Sequence, residues 1–513
     1  FDTRNKYIYG LQKTILLKIN LITIMSSENV QTKWGQFISL IIVFFFWGFV
    51  GSANDILIPV FKKVFTLSQV QSQLVAWAFY AAYFVGSLIF FLVSLKLDVL
   101  QKFGYKKTLS AGLVLSAFGS FLFIPAATME SFPFFLTALF TVGLGFSIQQ
   151  IVANPLAIKM GSPQTGAHRL TLAGGINSFG TTIGAILLGI ALFGMGDNKK
   201  TALSLEDIKL PFIILGLAFI AVAIFMNFSK IEDPAKEEEE VVKTAHEKFN
   251  ILDYPQLYLG MLGIFIYVGT EVTIISNLPA LLHTAEFGNV LEDAIAPFIA
   301  LYWGSLMIGR WNGGVNVFNT SNLVNTALKF IVPAVAFGVI IGANIFAAHD
   351  VSSFYIYPIW ILVFIGVSFI GGKNAGKTLM LFGISGLLMM LAGLVCPSPE
   401  IAKFFFISGG LFLSIMWPSI FDLAIAGLGK NTGKASSFLI MMILGGGIIP
   451  LVQGSICDFD LTKPEGIFGI TWTHFSYIVP LLGFAYLGFY GFYCPKILKK
   501  QGISHVQSEG GGH

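Results

Sequence analysis

Long apolar runs recur along this chain, each close to bilayer length and separated from the next by a short charged or turn-forming cluster. A stretch such as 42-IVFFFWGFV-50 carries no polar face at any helical period. A helix that is apolar around its whole circumference lies in a core or in lipid. At about 20 residues per crossing, the pattern predicts fourteen membrane helices. They are Trp34–Phe61, Gln71–Leu95, Thr108–Ala127, Phe132–Lys159, Arg169–Phe193, Leu210–Phe228, Tyr254–Leu282, Ala294–Phe318, Leu323–Ala348, Phe354–Ile370, Thr378–Val395, Ile401–Leu428, Ser436–Ile456 and Trp472–Tyr493. The polar run 230-KIEDPAKEEEEVVKTAHEKF-249 reads as a solvated linker. The expected organisation is a tail 1–33, a six-helix half 34–230, a linker 231–253, a second half 254–494 containing an extra helix pair 323–370, and a tail 495–513.

Composition sharpens this into a class. Of 513 residues 55% are apolar and 11% charged, whereas a soluble chain carries about a quarter charged residues. The expected fold class is therefore an all-α polytopic membrane protein. A net charge of +4 gives no reason to invoke nucleic acid. Cys396, Cys457 and Cys494 fit no metal or disulfide spacing, so no metal and no cofactor is expected. Met25 is expected as the initiator, and the run Ile15–Ile24, broken by Lys18 and Asn20, lacks the small-residue cleavage site of a signal peptide. With the N-terminus inside, nineteen Lys and Arg fall in inner loops and the C-terminal tail against seven in outer loops. That bias predicts both termini in the cytoplasm.

One motif is discounted. Residues 371-GGKNAGKT-378 match the phosphate-loop pattern, but that pattern needs a preceding strand and a soluble helix after it. Here membrane helices flank it, so it reads as a basic inner loop.

An ionisable group inside a span costs a few kcal/mol unless it faces a polar cavity. Asp55, in 51-GSANDILIP-59, is such a group, and Asn54 stands beside it. Asp55 is read as a cavity carboxylate that takes a proton or binds a hydroxyl; an ion pair or helix cap is the structural alternative. In 143-GLGFSIQQIVANP-155, Gln150 and Asn154 share a face at i, i+4, and Pro155 permits a kink. Such amides suit hydroxyl-rich ligands, or they bond neighbouring helices; Gln149 points aside, towards a neighbour. Asn177 and Asn277 are further candidates within spans. Glu271 is a second titrating group or the partner of a buried His or Arg. Arg169 and Arg310 are placed at inner helix ends, as an interface anchor and as a gate or headgroup contact. Trp417 precedes Pro418, where a helix can bend, and its ring suits stacking on a sugar, or it is a packing aromatic in a chain with 14% aromatic residues. Asp422 is expected to pair with Lys430 or an arginine.

Together, NDILIP, GFSIQQIVANP, HRLTLAGGINSFG, YVGTEV, IGRWNGG, SIMWPSIF and 436-SSFLIMMILGGGIIP-450 resemble the fucose/galactose/glucose–proton symporter family of the major facilitator superfamily, from Trp34 to Lys500. The segment 95-LKLDVLQKFGYKKT-108 is similar to that superfamily's loop between helices 2 and 3, with Asp98, Gly104 and Lys106 at its spacing. The resemblance implies two pseudo-symmetric bundles rocking about a midplane sugar site. It implies a proton-coupling role for Asp55 and a cavity role for Gln150, where the family's fucose permease has glutamate; the glucose/galactose branch ends this motif in Gln. That permease also has Gln at the position of Gly174, which argues against fucose here. The extra helix pair resembles a Bacteroidetes-like fourteen-span form and is expected to pack outside the bundles.

The expected function is import of a neutral hexose or N-acetylhexosamine with a proton, or with sodium, by a monomer in contact with lipid in a bacterial inner membrane. An uncoupled facilitator and a transport-inactive nutrient sensor are the alternatives. No assembled catalytic cluster points to an enzyme, and no repeated pore-lining segment points to a channel.

Overall fold

The computed structural model describes residues 31–66, 69–97, 99–162, 165–193, 205–232, 250–290, 292–318, 320–347, 349–372 and 374–503. Asp98 lies outside them, as do the side chains of Asn54, Asp55 and Lys430. The helices are α1 (Trp34–Val64), α2 (Gln69–Lys96), α3 (Val99–Phe121), α4 (Phe132–Lys159), α5 (Gly166–Phe193), α6 (Glu206–Phe228), α7 (Pro255–His283) and α8 (Glu292–Gly314). They continue as α9 (Asn322–Phe346), α10 (Pro358–Gly371), α11 (Ala375–Val395), α12 (Pro399–Leu413), α13 (Met416–Ile425), α14 (Thr432–Met441), α15 (Gly445–Cys457) and α16 (Ile478–Lys500). The pairs α12/α13 and α14/α15 are each one rod with a break. Among the described residues, twelve rods are long and apolar enough to cross a membrane. That measure covers the described residues alone and does not confirm the expected fourteen.

Helix is the form that satisfies every backbone donor and acceptor within one segment, as lipid requires. Caps mark where the rods turn. Asn374 accepts from the Lys377 N–H at 2.8 Å and starts α11, after Gly372 turns with φ +62. The phosphate-loop look-alike is thus a helix cap between two rods. Gly104, with φ 79, bends the start of α3, and Lys106 Nζ donates to the Ser229 carbonyl at the end of α6. Lys33 pairs with Glu232 and joins the start of α1 to the same end, holding that carboxyl below the usual carboxylate range.

Helices α1–α6 pack on one another, as do α7, α8, α11, α12 and α14–α16. Each group contains very close crossings made by glycine. A Cβ on Gly48 of α1 would lie 1.8 Å from the Asn177 carbonyl of α5, and one on Gly445 of α15 would lie 1.9 Å from the Phe265 carbonyl of α7. Replacing Gly48 with valine is therefore expected to push α1 off α5 and lower stability by about 1–3 kcal/mol. Thermal unfolding of the purified protein checks this; an unchanged midpoint would show that the crossing has slack.

The extra pair lies on the flank of α8. Ile340 of α9 covers Gly304, and the Tyr357 and Ser305 hydroxyls meet at 2.7 Å. Leu323, Phe346 and Ile359 point outward and are exposed. The two large groups meet chiefly through α5 against α8 and α13, and through α2 and α4 against α14. Several of these contacts sit at the end where α1 begins: Trp34 stacks on Phe318 with centroids 5.2 Å apart, and Gly314 lies over Leu172.

Candidate functional site

A polar cluster between the groups is built by α5, α7, α8 and the α12/α13 break. On α7, Tyr267 and Glu271 are one helical turn apart, and the Tyr267 hydroxyl donates to Glu271 Oε1 at 2.9 Å. On α8, Arg310 lies one turn from the helix end. Its long side chain runs over Gly174 of α5, where a Cβ would stand 3.6 Å from Arg310 Cδ. Arg310 Nη2 meets Glu271 Oε1 at 3.2 Å, with side-chain exposures of 16% and 13%. A partly solvated buried pair fits a polar cavity better than a dry core.

Three further contacts give Arg310 its geometry. Nη1 donates to Ser178 Oγ of α5 at 2.8 Å. Nε donates to the Ser414 carbonyl at 3.2 Å. Nη2 also reaches the Tyr267 hydroxyl at 3.4 Å. One guanidinium thus joins both helix groups and the break in α12/α13, using the fixed fork of donors that arginine alone offers. The helix places Glu271 from behind as well, since the Tyr302 hydroxyl donates to its backbone carbonyl at 2.7 Å. Trp417, half-buried just after the break, lies with its ring 6.0 Å from that of Tyr267.

The other side chains named from sequence fall around this cluster or away from it. Gln150 Nε2 donates to the Tyr83 hydroxyl at 3.0 Å, while Asn154, a turn further on, is 2% exposed and its Nδ2 meets no acceptor. Gln149 is fully buried, accepting from Trp47 Nε1 at 2.7 Å and donating to Ser116 Oγ at 2.8 Å. Asn177 Nδ2 donates to the Phe44 carbonyl at 3.0 Å, tying α5 to α1. Asn277 Nδ2 donates to Gln453 Oε1 at 2.7 Å, within the second group.

Arg169 and Arg310 both stand near helix ends and turn their side chains inward. Arg169 is fully buried and caps α4: it donates to the carbonyls of Ala157 at 3.1 Å and Ser162 at 2.8 Å, to Thr165 Oγ1 at 2.6 Å, and to the Ile158 carbonyl. The negative end of a helix attracts a cation, which explains why the side chain folds inward. Arg310 points to mid-protein because Glu271 supplies the opposite charge. Asp422 is buried with Oδ1 against Gly166, near enough to Arg169 to act on its charge.

Sequence reasoning missed Ser178, Tyr267, Ser414 and Tyr83. Tyr267 was legible as the residue four before Glu271. Ser414 was legible as the carbonyl whose partner Pro418 cannot supply.

The family model described as Major Facilitator Superfamily matches residues 37–450. A glucose/galactose transporter of Brucella abortus is 32% identical over 453 residues, covering 88% of this chain and 92% of that protein. The L-fucose-proton symporter of Escherichia coli is 26% identical over 436 residues, covering 81% and 85%. In fold, the crystal structure of FucP in the outward conformation matches with a TM-score of 0.66, covering 89% of this chain and 98% of that one at 22% identity. The chain is a transporter rather than an enzyme, and it belongs to the fucose/galactose/glucose–proton symporter family of the Major Facilitator Superfamily.

Proposed function

We propose that this protein imports a neutral hexose or N-acetylhexosamine together with a cation, by alternating access across a bacterial inner membrane with both termini in the cytoplasm. The observation that carries the reading is the Glu271–Arg310 pair with Tyr267 and Trp417 where the two helix groups meet. It offers an aromatic face, hydroxyls and a charge-assisted donor set to a ligand rich in hydroxyls. The names of the relatives, glucose/galactose transporter and L-fucose-proton symporter, agree in substrate class. In this reading Asp55 and Glu271 handle the cation, and Asn54, Gln150, Asn154, Asn177, Asn277 and Trp417 contribute to the sugar path. Charge on an empty carrier resists closure in a low-dielectric state, and binding a proton removes that resistance. The coupling ion is taken to be the proton, with sodium as the competing ion.

One observation favours the uncoupled reading. Glu271 already has Arg310 as a counterion, so it can stay ionised through the whole cycle. Uptake of labelled glucose, galactose, fucose and N-acetylglucosamine into proteoliposomes, under an imposed proton or sodium gradient, separates the two. Accumulation above the external concentration under one gradient supports symport. Equilibration alone under both supports a facilitator, and uptake of none of the four sugars overturns the sugar reading.

A further inference from the structure

We infer that Arg310 is a positioning residue that transmits the charge of Glu271 to the α12/α13 break, and so to Trp417, and to the first helix group. The inference rests on the reading of Glu271 as a coupling group.

The break has a chemical cause. In an unbroken helix the N–H of residue 418 would take the Ser414 carbonyl, and Pro418 has no N–H. Arg310 Nε supplies the missing donor at 3.2 Å. Helix α8 comes close enough to do this because Gly309 lacks a side chain: a Cβ there would lie 2.0 Å from Ser414 Oγ. Gly313 packs on Ile415 in the same way, where a Cβ would stand 2.7 Å from Ile415 Cγ2. The last turn of α8 is thus pressed on the two residues, Ser414 and Ile415, that separate α12 from α13.

The contacts close a ring. Glu271 holds Arg310 through Nη2 and holds Tyr267 through its hydroxyl. Tyr267 lies against Trp417, and Trp417 follows the break that Arg310 fills. Arg310 Nη1 carries the ring across to Ser178 of the first group. Protonating Glu271 removes the charge that fixes Nη2. The guanidinium is rigid, so a shift at Nη2 moves Nε and Nη1 with it. The Ser414 and Ser178 contacts then loosen together, letting α13 swing with Trp417 and parting α5 from α8. A lysine keeps the charge but not the fork, and cannot serve the three directions at once.

The test is a cycle of substitutions read at Trp417. Its emission is taken as the difference between each protein and the same protein carrying Trp417→Phe, in detergent without sugar. Glu271→Gln, which mimics the protonated acid, is expected to shift that emission. The shift is expected to vanish when Arg310→Lys is already present. Pro418→Ala, which supplies a backbone N–H to compete for the Ser414 carbonyl, is expected to shrink the shift while leaving the Glu271–Arg310 pair in place. In proteoliposomes, Arg310→Lys is expected to lower gradient-driven accumulation about tenfold relative to the equilibrium exchange of the same variant, a usual size for coupling between sites. An equal emission shift in all backgrounds, or no shift in the wild-type background, overturns the inference. If the cycle holds but the wild-type protein takes up no sugar, the sugar reading fails and the link between Glu271 and the break stands.

Discussion

Replacing Glu271 with alanine is expected to destabilise the protein by about 3 kcal/mol, and adding Arg310→Met to return more than half of that loss. Removing one partner of a buried ion pair leaves the other charge uncompensated, at a typical cost of about 3–5 kcal/mol, whereas removing both is often close to neutral. The lower end applies because both side chains retain some exposure, 16% for Arg310 and 13% for Glu271. The loss is not only Coulombic. Tyr267 would keep its hydroxyl but lose the acceptor it uses at 2.9 Å. Arg310→Met in turn frees Ser178 and the Ser414 carbonyl, so recovery stays incomplete. The measurement is a denaturation series on wild type, both single variants and the double variant. Additive losses would mean that the two groups do not interact, and that the distance of 3.2 Å carries no coupling. Accumulation of sugar is expected to be absent in the double variant even where the fold has recovered, which separates the stability role from the transport role.

The rods of this fold were readable because a membrane span announces itself by length and apolarity, and because lipid leaves the backbone few alternatives. The predicted limits Phe132–Lys159 coincide with α4, and Phe228 ends both the predicted sixth span and α6. The broken rods were partly legible, since Pro418 points back to Ser414 by a fixed offset of four. Which polar side chain meets which was not legible. Gln149 and Gln150 are neighbours with the same chemistry, yet one is locked between Trp47 and Ser116 and the other reaches Tyr83. Helix rotation decides that, and an apolar circumference gives no amphipathic stripe from which to read rotation. Arg310 shows the second limit. Its Cα stands near a helix end, where arginine usually reaches for headgroups, but its side chain reaches the opposite way to a carboxylate 39 residues earlier. Sequence offered two candidate charges and no distance between them.

The second large effect is expected at Asp55. Asp55→Asn is expected to abolish accumulation while leaving exchange and downhill flux. The residue lies within α1, eight positions beyond Trp47, whose indole is bound to Gln149. That bond anchors α1 on α4. A carboxylate in a span is costly unless a polar path receives it, and the amide is a close isostere that removes only the charge and the titratable proton. If the charged, empty carrier cannot close while the protonated, loaded one can, an amide lets both forms close. The carrier then returns empty without carrying a proton, and the gradient no longer drives sugar. At one proton per sugar, a gradient of one pH unit supports about tenfold accumulation, since about 1.4 kcal/mol corresponds to a factor of ten. The variant is expected to settle near equal concentrations on both sides, with counterflow of labelled sugar still measurable. Accumulation close to the wild-type level would assign Asp55 a structural role and leave Glu271, already paired with Arg310, as the carboxylate that must explain coupling.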